Sequence, residues 1–136
     1  MITFTLPGEV IVKKNHQKII MIPNGKGGKR PSIIAADRFK QWEQESLWNL
    51  KSCQKYVGPY PAFLGLFFWR QTRRIFDLVA VTESIQDLLV AGEIIEDDDM
   101  NHVVPLYLLK KDINAYAWAV DRQHPRVEII IQSIGV

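Results

Sequence analysis

Four consecutive carboxylates occupy positions 96–99, in the order Glu-Asp-Asp-Asp. Like charges this close together repel one another, so folding gains nothing from the run unless something compensates it. Carboxylate oxygens are the usual ligands of Mg²⁺, which takes one or two of them together with waters and phosphate oxygens. Two interpretations stay open, a Mg²⁺ site and a solvated acidic turn.

Further acids precede this run. Asp77 stands before a helical pattern that ends at Gly92, and a glycine there can turn the chain back so that Asp77 and the acidic run converge. Glu83 and Asp87 are spaced i, i+4 and repel each other on one helix face. We interpret this pair either as surface-exposed or as a source of a supporting acid for the metal.

Basic residues are concentrated ahead of the acids. Residues 1–74 contain 13 Lys/Arg and four acids, residues 75–109 contain eight acids and neither Lys nor Arg, and residues 110–136 contain four bases and three acids. Such segregation is typical of a polyanion-binding surface beside an acidic patch, with surface salt bridges between the blocks as the alternative. The predicted DNA-binding residues, which would contact backbone phosphates without reading sequence, are Lys13, Lys14, Lys18, Lys26, Lys29, Arg30, Arg70, Arg73 and Arg74.

Several functional classes are excluded by what the sequence lacks. A single cysteine, Cys53, rules out a disulfide framework and a multi-cysteine zinc site. The glycine-rich segment 25–28 is not followed by Lys-Ser/Thr and a helix, so no nucleotide cofactor is expected. No apolar run reaches the roughly 18 residues of a membrane span, and the first residues lack a signal-peptide pattern. We therefore expect no membrane partner and a cytoplasmic location.

The first half of the chain reads as short strands and one helix. Alternation predicts a strand at 2–6, and extended segments at 10–12 and 18–22 that form a hairpin. A flexible basic loop is expected at 24–31. A helix capped by Ser32 or Asp37 then runs to about Leu50.

The second half contains the elements that carry the acids. An apolar central strand is predicted at 63–69, and Asp77 caps a helix that ends at Gly92. Two late strands follow at 103–109 and 126–131, separated by a loop that holds Trp118. This order predicts one α+β domain over residues 1–136, with two helices packed on a mixed sheet.

Two segments of this half form one ordered pattern, Phe67-Phe68-Trp69-Arg70-Gln71-Thr72-Arg73-Arg74-Ile75-Phe76-Asp77 and, after a helix, Gly92-Glu93-Ile94-Ile95-Glu96-Asp97-Asp98. An apolar strand, a basic pair, an Asp-rich motif, a helix, Gly and then Asp-Asp resembles the core of the RusA-type Holliday junction resolvases. The opening strand, Pro7-Gly8-Glu9 and Lys13-Lys14 are similar to the family as well, so the resemblance covers nearly the whole chain.

The chain departs from the family at the first motif. Ile75 stands where the family has its first Asp, Asp77 matches the second, Leu78 replaces Asn and Val81 replaces Lys. The downstream family pair matches Asp97 and Asp98. One primary metal ligand is therefore missing unless Asp87, Asp99 or Glu96 takes its place.

The resemblance implies a homodimer that binds branched DNA and makes paired nicks in four-way junctions by Mg²⁺-assisted phosphodiester hydrolysis. It implies catalytic and metal-binding roles for Asp77, Asp97 and Asp98, and phosphate contacts from Lys14 or Arg74. Asp87 is added to the predicted metal ligands as a substitute for the missing family Asp. Two alternatives remain. One is a catalytically silent module that binds branched DNA, and the other is a protein-interaction domain whose opposite charge blocks pair between subunits.

Overall fold

A computed structural model describes residues 1–12, 19–23, 25, 27–33 and 36–135. In residues 19–22, 29–33 and 36 the description covers the backbone alone. Nine strands and two α-helices lie within these ranges, together with one short 3₁₀ helix.

A five-stranded mixed sheet is built around β4 (Ala62–Arg70). On one side β9 (Arg126–Ser133) pairs with β4 in the antiparallel direction, and β1 (Ile2–Pro7) pairs with β9 at the outer edge. On the other side β5 (Val103–Tyr107) runs parallel to the first half of β4, and β8 (Trp118–Val120) runs parallel to its second half. The apolar run predicted as a central strand is therefore central.

Strand β4 is apolar along nearly its whole length because both of its faces are covered. Leu64, Leu66 and Phe68 belong to the main core, and none of them is more than 1% exposed. Phe67, on the opposite face, is also fully buried, and the ammonium of Lys110 lies 5.4 Å from its ring. A strand covered on both faces reads as a continuous hydrophobic run instead of an alternating one.

The helices are α1 (Ala36–Leu50) and α2 (Leu78–Ala91), and they contact each other. Asp77 caps α2, as predicted, and the fully buried face of the helix includes Val81, Ile85 and Leu89. The helix ends at Gly92, whose N–H donates to the carbonyl of Leu88 over 2.8 Å. A Cβ at Gly92 would lie 2.8 Å from Leu50 Cδ1, so the glycine allows the two helix ends to meet.

Smaller strand pairs lie outside the main sheet. Strands β2 (Ile19–Pro23) and β3 (Lys29–Ile33) form an antiparallel pair, and β6 (Leu109–Lys110) pairs with β7 (Ala115–Tyr116) across the 3₁₀ helix Lys111–Ile113. The hairpin predicted between 10–12 and 18–22 is wrong, because the second of these segments pairs with β3. The predicted basic loop at 24–31 is accordingly shorter, with Gly25 and Gly27 both at positive φ in the connection.

The late part of the chain also differs from prediction. Trp118 was expected in a loop, but it begins β8, and its partner Phe68 supplies the pairing surface near the end of β4. Such short strands show no periodicity of their own, since their pairing depends on a distant strand. The predicted class is confirmed as α+β, with a mixed sheet and two helices. In the described part of the chain, no helix has both the length and the apolar character needed to cross a membrane.

The connection from β4 through α2 to β5 decides where the charged residues lie. Strands β4 and β5 are parallel, so α2 begins beyond the carboxyl end of β4 and ends near the amino ends of both strands. Helix α2 has 14 residues and is therefore about 21 Å long. Residues before α2 and residues after it occupy opposite ends of the domain.

Candidate functional site

Five arginines gather at the carboxyl end of β4, and we call this region the arginine end. Arg70 ends β4, Asp121 donates its backbone N–H to the Arg70 carbonyl, and the residue paired with Trp69 is Arg126. The loop after β4 adds Arg73 and Arg74, and Arg122 directly follows Asp121. The arginine end comprises Arg70, Arg73, Arg74, Arg122 and Arg126.

Two of these arginines are neutralised by acids. Arg70 Nη2 lies 3.0 Å from Glu9 Oε1, and Arg126 Nη1 lies 2.9 Å from Asp121 Oδ2. The hydrogen bond from Arg126 lowers the pKa of Asp121, with backbone N–H groups adding to the effect. The net charge of the arginine end therefore comes from residues outside these two pairs.

The other three arginines are exposed, and no described acid forms a salt bridge with Arg73, Arg74 or Arg122. Arg74 is held locally, because its backbone N–H donates to Thr72 Oγ1. An exposed guanidinium without an acidic partner is available to phosphate oxygens, which it can contact through two parallel N–H groups.

Arg70 is a structural member of this group. Its guanidinium lies 4.3 Å from the centre of the Phe76 ring, and burial lowers its pKa while Glu9 partly offsets the shift. Its Nε and Nη1 atoms are buried and have no hydrogen-bond partner among the residues described. By packing against Phe76, Arg70 therefore supports the loop that precedes α2.

Asp77 lies at the same end, in a cleft of about 410 Å³. Its Oδ1 accepts hydrogen bonds from the backbone N–H groups of Val79 and Ala80, at 3.0 and 3.2 Å, which fixes the carboxylate at the start of α2. The cleft is lined by Val10, Val12, Arg70, Arg74, Ile75, Phe76, Asp77 and Val81. Asp77 is the one carboxylate among these lining residues.

A second charged group lies at the opposite end of α2, and we call it the acidic end: residues 96–99 and His102. His102 Nδ1 lies 2.7 Å from Asp99 Oδ1, and its Nε2 lies 3.6 Å from Glu96 Oε2. The imidazole also packs edge-on against Tyr60, whose hydroxyl accepts the backbone N–H of Glu96. The His102 carbonyl accepts the N–H of Ala62, which anchors the group at the start of β4.

The acids of this end perturb the histidine. The hydrogen bond to Asp99 raises the pKa of His102, and the charges of Asp99, Asp97 and Glu96 add to it. The same hydrogen bond lowers the pKa of Asp99. One ligand atom each from Asp97, Asp99 and His102 lies within 4.8 Å of the others, a geometry that could hold a cation.

The predicted Mg²⁺ ligands are not brought together within one protomer. Asp77 lies before α2, whereas Asp97 and Asp98 lie after it, near the start of β4. The chain does not return toward Asp77 after Gly92, because the N–H groups of Ile94 and Ile95 bond to the Leu89 carbonyl and hold the turn at the end of the helix. Asp87 is exposed along α2 itself.

The predicted DNA-binding residues divide into three groups. Arg70, Arg73 and Arg74 lie together at the arginine end. Lys29 and Arg30 begin β3, where the backbone alone is described. The remaining four lie outside the described residues and are Lys13, Lys14, Lys18 and Lys26.

Sequence reasoning missed part of both groups. Arg122 comes from the distant β8–β9 connection and Arg126 begins β9, and their approach to β4 depends on strand pairing that no local pattern reveals. His102 was not linked to the acidic run, although its spacing of three residues from Asp99 was the available signal. Comparison with known proteins finds no matching family model and no matching curated protein.

Proposed function

We propose that this chain is a DNA-binding protein that contacts the phosphate backbone of branched DNA through the arginine end. The observation that carries the proposal is the group of three exposed arginines, Arg73, Arg74 and Arg122, without acidic partners among the described residues. Cations held on one surface neutralise phosphates and release counterions, which supplies affinity without base readout.

The position of the group favours a polyanion over a single acidic ligand. The three arginines come from two separate connections, β4–α2 and β8–β9, and all three are exposed, so a long polyanion can reach them without entering the domain. The acidic end lies beyond the far end of α2, where it repels phosphates. A phosphate backbone would therefore approach the domain from the arginine side.

A Mg²⁺ site of the predicted composition does not fit one protomer. The cleft at Asp77 offers a single carboxylate among its lining residues, and Asp97 and Asp98 lie at the other end of α2. At the acidic end, the three residues whose ligand atoms lie close together are Asp97, Asp99 and His102. An imidazole nitrogen suits transition metals better than Mg²⁺. Binding is accordingly the primary proposal and catalysis the secondary one.

The test of the primary proposal is a salt titration of binding to a synthetic four-way junction. Three phosphate contacts predict that log affinity falls with log salt concentration with a slope of about −3 or steeper, since each contact contributes about −0.9. A slope near zero contradicts the proposal and favours the protein-interaction domain.

A matched pair of variants assigns the slope to a surface. Arg73→Gln, Arg74→Gln and Arg122→Gln together should reduce the slope by about 2 to 3 units. Arg38→Gln, Lys40→Gln and Lys51→Gln remove the same charge from exposed positions in or beside α1 and should leave it within about one unit. Equal losses in both variants would mean that net charge, not the arginine end, determines binding.

Paired nicking of junctions with Mg²⁺ is the second candidate function, and the resemblance to RusA-type resolvases motivates it. The observation in its favour is that the Asp77 carboxylate shares a cleft with Arg74, next to the proposed phosphate contacts. A site that also contains Asp97 and Asp98 needs two subunits, with the acidic end of one beside the arginine end of the other. Their opposite charges favour that arrangement in a homodimer.

Subunit mixing tests this candidate. Asp77→Asn and Asp98→Asn should each abolish nicking alone, and the mixture should recover about a quarter of wild-type nicking, because about half of the dimers are mixed and each has one intact site. No recovery contradicts a shared site. No nicking by the wild-type protein at any Mg²⁺ concentration contradicts the enzyme and leaves the binding proposal intact.

A further inference from the structure

A small hollow lies beside the Asp77 cleft, and the proposed function uses only the two arginines in its wall. Its volume is about 230 Å³, and it is lined by Arg73, Arg74, Ile75, Phe76, Leu78 and Trp118. Arg74, Ile75 and Phe76 line both the hollow and the Asp77 cleft. The two spaces are therefore neighbours, one containing a carboxylate and the other walled by apolar and aromatic side chains.

The walls of the hollow are held in place from several sides. The rings of Phe76 and Trp118 meet edge to face, with centroids 5.4 Å apart and an interplanar angle of 85°. Phe76 is also covered by the Arg70 guanidinium. Trp118 is fixed by the pairing of β8 with β4, and the Asp77 cap fixes the backbone just after Leu78, at Val79 and Ala80. Because these walls are already held in place, a ligand that enters the hollow loses little free energy to ordering the protein.

The rim of the hollow is both apolar and basic. Ile75 is fully exposed, and the two residues before it that also line the hollow are Arg73 and Arg74. An isolated exposed aliphatic residue needs no explanation, but here it forms the ridge between an aromatic hollow and a cleft lined by arginines. Flat aromatic groups that carry phosphate on either side match this combination of surfaces.

We propose that the hollow accepts one unpaired nucleobase, while Arg73 and Arg74 contact the adjoining phosphates and Ile75 packs against the neighbouring base pair. This inference rests on the proposed DNA binding and names its substrate class as DNA with an unpaired or unstacked base. A base within an intact duplex is stacked on both faces and cannot enter without being unpaired, at a cost of a few kcal/mol. Branch points and bulges supply such bases more cheaply.

Binding to three short duplexes tests the inference. They are identical except that one is fully paired, one carries a single bulged adenine, and one carries an abasic bulge at the same position. The bulged adenine should bind about tenfold more tightly than the abasic bulge, which is the scale expected for one stacked base. The abasic probe controls for the bend and flexibility that a bulge introduces.

Two variants test whether the preference for the bulged adenine arises at the hollow. Ile75→Ser should reduce the tenfold advantage to about twofold, because Ile75 lines the hollow. The variant should fold normally, because a fully exposed side chain contributes little to folding. Val57→Ser removes a side chain that is 89% exposed near the acidic end and should retain the full advantage. An advantage that persists in Ile75→Ser overturns the assignment to this hollow.

The outcomes separate this inference from the proposal beneath it. Equal affinity of the wild-type protein for the adenine and abasic bulges, with a steep salt dependence for both, overturns the hollow and leaves DNA binding in place. Absence of salt-dependent binding to all three probes overturns both.

Discussion

The arginine end and the acidic end lie at opposite ends of the same helix and differ in how their charges are compensated. At the arginine end, Glu9 and Asp121 neutralise two of five arginines and leave three exposed. At the acidic end, the imidazole of His102 bonds Asp99, while Asp97 and Asp98 have no described salt bridge. Each end thus retains net charge of its own sign.

Topology converts charge segregation along the chain into separation in space. The change from the basic to the acidic block falls between Arg74 and Ile75, directly before α2. Because α2 connects two parallel strands, its start and its end must lie at opposite ends of the sheet. The comparison shows that two charge blocks can be adjacent in sequence and remote in the fold.

Charge reversal at the arginine end should have the largest effect on function. Arg73→Glu with Arg74→Glu replaces two attractive contacts by repulsion and should lower junction affinity about 100-fold at moderate salt. Asp97→Lys with Asp98→Lys changes charge by the same amount at the other end. It should alter affinity less than about fivefold. Equal and opposite effects of the two variants, measured by filter binding, would make net charge alone the determinant.

The parts of the fold that sequence predicted well have strong local signals. The apolar spacing of Val81, Ile85 and Leu88 predicted α2, the Asp77 cap and Gly92 predicted its ends, and the continuous apolar run predicted β4. Strand β8 could not be found this way, because three residues carry no period and their pairing with Phe68–Arg70 is long-range.

The candidate site was predicted only in part for the same reason. Arg70, Arg73 and Arg74 are adjacent in sequence, so their grouping was visible before the fold was known. Arg122 joins them through strand pairing and was missed. The expected convergence of Asp77 with Asp97 and Asp98 assumed that a glycine reverses the chain along the helix, whereas the backbone hydrogen bonds to Leu89 keep the turn at the helix end.

Asp77 allows its role in the fold to be separated from its charge. Asp77→Ala removes the side-chain acceptor for Val79 and Ala80 and should lower the free energy of unfolding by about 1 kcal/mol in urea denaturation. Asp77→Asn keeps a capping oxygen and should stay within about 0.5 kcal/mol of the wild type. A comparable loss in both would show that charge at the helix start, rather than the cap, provides the stability.

Adding a carboxylate to the arginine end should make it bind a divalent cation more tightly. Ile75 is fully exposed and lines the same cleft as Asp77, so Ile75→Asp gives that cleft a second carboxylate. We expect Mn²⁺, used as a paramagnetic probe in NMR, to broaden the amide signals of residues 74–79 at about tenfold lower concentration than in the wild type. Ile75→Asn is the neutral control, and identical broadening in both variants would contradict the prediction.

The smallest expected effect is a titration at the acidic end. NMR should find the pKa of His102 above its ordinary value, and Asp99→Asn should lower it more than Asp97→Asn, because Asp99 provides the hydrogen bond and Asp97 only charge. A raised His pKa adds stability that is present at low pH and lost as pH rises through it, whereas the lowered pKa of Asp99 adds stability lost on acidification. Asp99 and His102 are therefore both charged between the two pKa values. An unshifted pKa of His102 would contradict this ion pair.

Amide chemical-shift mapping with a four-way junction shows whether DNA contacts the arginine end and not the acidic end. Binding should perturb residues 70–79 and 121–126, leave residues 93–102 unchanged, and lose these perturbations as salt is raised. Perturbations centred on residues 93–102, or none at either end under conditions where the junction binds, would contradict DNA contact at the arginine end.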